Sequence, residues 1–256
     1  MIICRCDGTI NGIFTAIYRA WEIGTTRTKI SIADNDNLEL FAEYMDIEAD
    51  EAIAAKVADS VKRKISIEAY EQVYHAALSA DADRADAIYR FLIVGFRYAH
   101  DVINMLANPY VRRIFELNRN VSREAHNYLG FIRFCQCHYN NSTLLLARFD
   151  PRNNIIDMVS HHFADRLMHE NWLIVDTKRN ICSLHNAGSR YYISHDIPNE
   201  LLEALVRQSL EDFENKAFEE LWETFRSSVT IESRRNEALQ QQLMPLRYRT
   251  YMNNHP

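Results

Sequence analysis

The sequence predicts an α+β fold: a small antiparallel sheet of about five strands packed with many helices. Three observations predict it. Short alternating or apolar stretches, bounded by turn residues, recur along the chain as strands do. Between and after them run longer stretches with apolar residues at helical spacing. The composition, 47% hydrophobic and 25% charged over 256 residues, is that of an ordinary globular protein with enough chain for a sizeable core. Together they predict a single α+β domain over 1–256, with a mainly helical insertion at about 34–122 and a C-terminal helical segment at about 198–256.

Ile2-Ile3-Cys4-Arg5-Cys6 reads as a short strand, too short for the apolar core of a signal peptide. Asp7-Gly8-Thr9 is a turn and cap, and Ile10, Ile13, Phe14, Ile17 and Trp21 follow with helical spacing. Lys29 to Ala33 suits a second strand. Residues 34–59 hold nine acids and one base, Lys56, a balance of -8 that reads as the solvated face of a helix starting near Glu48. Ser66 suits the N-cap of a helix over 67–79. Asp81 or Asp83 opens a long helix to about Ala107, and Pro109 fits the first turn of the next. Gly130 is placed to end that helix with a positive φ.

Phe131 to His138 alternates like a strand, and Thr143 to Phe149 is its partner through a turn at Asn140-Asn141. Asp150-Pro151 leads into a helix over about 154–168, with Ile156, Val159, Phe163 and Leu167 inward. Trp172 to Asp176, Ile181 to Leu184 and Arg190 to Ser194 are three more strands. Pro198 starts an amphipathic helix to about Phe225, and a segment over 231–252 follows.

Composition excludes several chemistries. None of the six glycines forms GxGxxG or GxxxxGK[ST], so a dinucleotide fold or a phosphate-binding P-loop is not expected. Five cysteines, an odd number, point to reduced thiols and a cytoplasmic protein. No apolar run approaches the length of a membrane helix. The formal charge of -6 argues against a wholly basic surface, but Arg supplies 23 of the 29 basic residues. Arg suits fixed, bidentate anion contacts.

Four constellations carry candidate chemistry. Glu124 and His126 precede Gly130 and Arg133 where a helix gives way to a strand. They either converge on a ligand or satisfy local hydrogen bonds beside the core. Arg133, alternating with Phe131 and Cys135, is expected to be partly buried and paired with an anion. His162 and Arg166 are i,i+4 neighbours beside the Phe163 stripe, and Asp176 ends a strand. The row His161, Asp165, His169 has metal-like types, although a solvated row is the preferred reading and no metal is assigned. Cys4/Cys6 and Cys135/Cys137 would hold zinc only if their strands were neighbours; small buried hydrophobes are the plainer reading. Near the C-terminus, Arg234, Arg235 and Arg247 interleave with Tyr248 and Tyr251. That pattern suits phosphate contact and base stacking, or equally a charged helix surface. No cofactor is assigned.

At these residues the chain resembles a bacterial family described as DNA metabolism or DNA repair proteins. The match runs through Asp7-Gly8-Thr9 with Gly12 and Phe14; then Glu124, His126, Gly130, Phe131, Arg133 and Phe134. It continues through His162, Phe163 and Arg166 with Trp172, Ile174, Asp176 and Arg179, and ends at Trp222, Arg235-Asn236, Met244-Pro245 and Arg247-Tyr248. Cys6 and Asn127 depart from the family's Tyr and basic residue. The resemblance implies a radical SAM protein encoded nearby and, in some relatives, fusion to a uracil-DNA-glycosylase-like domain. This chain has no C-x3-C-x2-C triad for an iron–sulfur cluster, so radical chemistry would come from the partner.

The expected function is that of a nucleic-acid-binding accessory protein for DNA repair or modification. Arg133, Arg166, Arg234, Arg235 and Arg247 would contact phosphates, and Tyr248 would stack on a base. The alternative is an enzyme acting on a nucleobase, nucleotide or damaged DNA end. Glu124, His126, His162 or Asp176 would then supply acid–base chemistry, and Arg133 and Arg166 would stabilise an anion. The alternative requires those side chains to converge in one pocket.

Overall fold

The apolar first strand, β1 (Ile2–Cys6), lies at the centre of a three-stranded parallel sheet, between β2 (Thr28–Ile32) and β3 (Glu43–Asp46). The structure is a computed structural model that describes residues 1–33, 39–139, 142–195, 197–211, 213–231, 233 and 235–251. It divides into two compact units: Met1–Arg123 with Arg152–Asn154, and Glu124–Pro151 with Ile155–Pro256. The architecture is α+β, with nine α-helices and eight strands among the described residues.

In the first unit, helix α1 (Ile10–Ile23) links β1 to β2. The Thr9 hydroxyl accepts from the Gly12 amide at 3.0 Å, and Asp7 accepts from the Thr9 amide and hydroxyl, so the turn and cap form together. Asp50 and Ser66 cap α2 (Glu51–Lys64) and α3 (Ile67–Ala77) in the same way. Helix α4 (Arg84–Tyr98) follows. The start of α5 (Pro109–Phe131), with Pro109 at its first position, completes the unit. Ile13, Phe14, Ile17, Ile88, Phe91, Leu92, Ile114 and Leu117 form its core.

The second unit is built on a five-stranded sheet in chain order: β4 (Phe134–Tyr139), β5 (Ser142–Phe149), β6 (Trp172–Asp176), β7 (Ile181–His185) and β8 (Tyr191–Ser194). Helix α6 (Ile156–Arg166) connects β5 to β6. Alternation puts Phe134, Phe149, Trp172, Ile174 and Ser183 on one face, where Phe163 of α6 meets Phe134 edge-on at 5.0 Å. Cys137, Leu144, Leu146, Leu173, Val175 and Cys182 line the other face, under Ile197 and, from α7 (Asn199–Glu211), Leu205. Helices α8 (Phe213–Val229) and α9 (Glu237–Leu243) follow, and a 3₁₀ turn over Leu246–Tyr248 closes the chain's described part.

Several expectations need correction. The five-stranded sheet is mixed, because β5 and β6 run parallel. The helix between them brings the chain back across the sheet, and a strand returning by such a crossover lies parallel. Residues 2–6 and 28–32 make their own sheet instead of joining the larger one. Gly130 lies inside α5 without a positive φ; the helix runs to Phe131. The helix from Asp83 stops at Tyr98 and continues as a 3₁₀ segment, Ala99–Asn104. Asp83 makes no cap bond there, since its carboxylate, with that of Asp81, holds Arg113. The turn at Asn140-Asn141 lies outside the described residues.

A closed aromatic node and an open groove

At the carboxyl ends of β5 and β6 the second unit gathers residues from four separate stretches. Tyr248 is 3% exposed, with its ring 4.8 Å from Tyr128 and 5.0 Å from Phe131. Its hydroxyl accepts from Asn127 at 3.1 Å and from Arg247 at 2.8 Å, and the Arg247 guanidinium lies 4.7 Å over its ring. Tyr128 meets Phe149 edge-on at 5.1 Å and donates to the Asp150 carboxylate. Tyr251 bonds Thr177 at 3.0 Å, and Arg148 stacks on its ring at 5.0 Å. The space left among these side chains is about 10 Å³, no more than one water.

The acids of this node have shifted protonation. Burial holds Asp150 above the ordinary carboxylate range, reinforced by the negative charge of Glu124 and opposed by the Tyr128 hydrogen bond and Lys178. Burial, with the charges of Asp150 and Glu124, pushes the Tyr128 hydroxyl up. Asp176 is fully buried at the end of β6, and burial raises its pKa too. Its carboxylate accepts from the Lys178 and Arg179 amides at 3.0 and 3.2 Å, and from the Arg179 guanidinium at 2.8 Å. This fixes the β6–β7 turn, where Asn180 takes a φ of 53°.

The open site of this unit is different. A groove of about 790 Å³ runs between α6, with the residues after it, and the β7–β8 turn. His161, Asp165 and His169 line one wall, Gly188, Ser189 and Arg190 the other, and Ala164, Met168 and Ile193 supply apolar surface. The Gly188 amide donates to the Met168 carbonyl at 2.8 Å, tying the turn to the end of α6. Gly188 takes a φ of 73°, which a side chain would strain. Tyr191 also lines the groove, held by a 2.8 Å bond from its hydroxyl to Asp157. Among the described residues, Arg190, His161 and His169 have no side-chain hydrogen bond or ion pair.

The sequence candidates therefore scatter. Glu124, Asp176, Arg247 and Tyr248 belong to or border the node, where Tyr248 is buried and cannot stack on a base. His126 is exposed on α5. Arg133 is not on a strand face: β4 starts one residue later, Arg133 is exposed, and its guanidinium donates to the Gly130 and Ile132 carbonyls at 2.9 and 3.1 Å. It closes the end of α5. His162 is half-buried with its ring 5.2 Å from Phe163, and Arg166 is exposed. Arg235 pairs with Glu237 at 3.2 Å, and Arg234 lies outside the described residues. The node, the groove and two cavities of the first unit leave Glu124, His126, His162 and Asp176 unconverged: none is lined by any of the four.

Sequence reasoning missed Arg190, Asp150 and Tyr128. A base directly after the Asn186-Ala187-Gly188 turn and before two tyrosines was the available signal for Arg190; Asp-Pro at a strand end was the signal for Asp150. No group of three or more His, Cys, Asp or Glu among the described residues is arranged to hold a metal ion. Cys4/Cys6 and Cys135/Cys137 lie in different sheets, and burial pushes the Cys4 and Cys6 thiols up, away from the thiolate a metal needs. The 510 Å³ cavity of the first unit is also charged, but its cations are engaged: Arg113 with Asp81 and Asp83, Arg90 with Asp86, and Lys29 with Glu39. No helix among the described residues is long and apolar enough to cross a membrane.

No curated protein matches the chain. Residues 82–254, which include the whole second unit up to Asn254, match the domain of unknown function DUF4130, and the chain belongs to that family.

Proposed function

We propose that this chain is an accessory protein that binds nucleic acid for a partner acting on DNA, and that the α6–β8 groove is its contact site. The observation that carries the reading is the Arg190 guanidinium in that groove, without a side-chain partner among the described residues, beside His161, His169 and the apolar surface of Met168, Ile193 and Tyr191, with Asp165 on the facing wall. A guanidinium without a protein anion suits a phosphate, and an adjoining apolar wall suits an unstacked base. Arg166, exposed on α6, would be a further phosphate contact outside the groove lining. Resemblance to DNA repair and DNA metabolism proteins supports a radical SAM protein or a uracil-DNA-glycosylase-like protein as the partner. The absence of an iron–sulfur triad in the sequence is consistent with the partner supplying the chemistry.

The test is fluorescence anisotropy with labelled single- and double-stranded DNA over a salt series, on the chain alone and co-purified with a radical SAM protein of the kind the resemblance implies. The affinity is expected to fall as salt rises, because bound phosphates release counterions. A folded chain without salt-dependent affinity in either form sinks the proposal. The enzymatic alternative keeps one supporting observation, the half-buried Asp150 near Tyr128 and Glu124, whose pKa burial raises. In the form the sequence suggests, with His126 and His162 in the same pocket, it lacks geometric support.

A further inference from the structure

Helix α8 carries an apolar stripe that is left exposed among the described residues. Phe218, Leu221, Trp222, Phe225 and Val229 recur at i, i+3, i+4, i+7 and i+11, one face of a helix. They are 72, 66, 53, 55 and 56% exposed. The Trp222 and Phe225 rings lie 5.9 Å apart, so the stripe is continuous through its middle. The helix also touches α7 and β4. We infer that the stripe is a self-association surface, on which α8 of a second copy lies antiparallel.

Area and charge both point to a second copy. Five large apolar side chains at these exposures present on the order of 600 Å² per copy. That is the upper end of what a monomer leaves uncovered. Two such stripes face to face bury roughly 1,000 Å² in total, the lower bound for a specific interface. The flanking charge is asymmetric along the chain. Residues 198–225 hold eight acids against two bases, whereas residues 226–251 hold five bases against two acids. On α8 itself, an antiparallel pairing centred on Trp222 sets Arg226 of each copy near Phe218 and Glu220 of the other. A parallel pairing would put like against like. The same acids, including Glu220 and Glu223, disfavour an anionic lipid surface as the occupant. This inference stands apart from the nucleic-acid reading, since it uses no groove residue.

Sedimentation velocity on the full chain, from about 1 to 100 µM, spans the range of a weak isologous dimer. A concentration-dependent dimer is expected. The double variant Trp222→Glu, Phe225→Glu is expected to weaken it at least about tenfold. Its circular dichroism should be unchanged, because both side chains are more than half exposed in the single chain. Arg226→Glu is expected to weaken the dimer at low salt and less so at high salt. A chain that stays monomeric throughout, a double variant that dimerises like the parent, or an Arg226→Glu variant unchanged at low salt overturns the proposal.

Discussion

The aromatic node and the α6–β8 groove are built on the same five-stranded sheet, yet they treat their polar groups in opposite ways. In the node, Asp176 meets Arg179 and two amides, Arg247 lies on Tyr248, and Tyr128 donates to Asp150. In the groove, Arg190 and two histidines are left unmatched beside open space. A buried charge is retained only where it is paired, and the node's Asp176 and Arg247 are paired in this way. In the groove the Arg190 guanidinium has no such partner among the described residues. The difference teaches that residue type alone does not separate a group engaged by the fold from one left open to a ligand.

The largest expected effect breaks the node alone. Tyr248→Ala removes a buried ring that touches Tyr128 and Phe131, and should cost ~3–5 kcal/mol in urea unfolding. DNA affinity per folded molecule should be unchanged. A loss below ~1 kcal/mol would show that the C-terminal segment is not anchored there.

Arg190→Ala should do the reverse. Its stability should change by less than ~0.5 kcal/mol, as for a surface substitution. Its DNA affinity should fall by up to about tenfold, with the salt slope reduced by about one contact. Equal slopes for parent and variant would remove Arg190 from the interface.

A smaller effect sharpens the helix end that leads into the node. Gly130 has helical geometry, and a Cβ there would meet no atom within 4 Å. Gly130→Ala should therefore stabilise the protein by ~0.5–1 kcal/mol in thermal unfolding; destabilisation would show that the glycine has another role.

The smallest effect concerns pH. The Asp150 pKa is raised in the folded protein, so the folded state holds that proton more tightly than the unfolded chain. Its contribution is favourable at low pH and is lost as pH rises from the unfolded pKa through the folded one. Asp150→Asn should therefore be neutral to stabilising at pH ~7 and flatten the stability profile across that window. A steeper profile in the variant would contradict the assigned direction.

Much of this architecture was legible in the chain. Thr9, Ser66 and Pro109 mark helix starts by chemistry that acts within a few residues, and each does so in the structure. The strands ending at Phe149 and Asp176 follow from short apolar runs bounded by turn residues. What could not be read was pairing at a distance. Strand β3, with Glu43 and Asp46 exposed, looks like a solvated acidic stretch until Arg5 takes Asp46 in two bonds of 2.7 and 2.8 Å. The Arg133 reading failed because helix α5 outran Gly130, and one residue of helix moves a side chain off any strand face. Tyr248 was read by its arginine neighbours, whereas its burial depends on Tyr128, more than a hundred positions earlier.

One feature of the larger sheet bears on how fast it assembles. Its strands lie side by side in the order in which they leave the ribosome, so each pairs only with its neighbours along the chain. The widest reach is from Leu145 to Trp172, across the α6 crossover, whereas in the smaller sheet Ile2 must find Glu43. Shorter loops close at a lower entropic cost, and local pairing speeds folding. The five-stranded sheet should therefore acquire amide protection before the three-stranded one in pulse-labelling refolding, and the groove, made wholly from its α6–β8 stretch, should form with it.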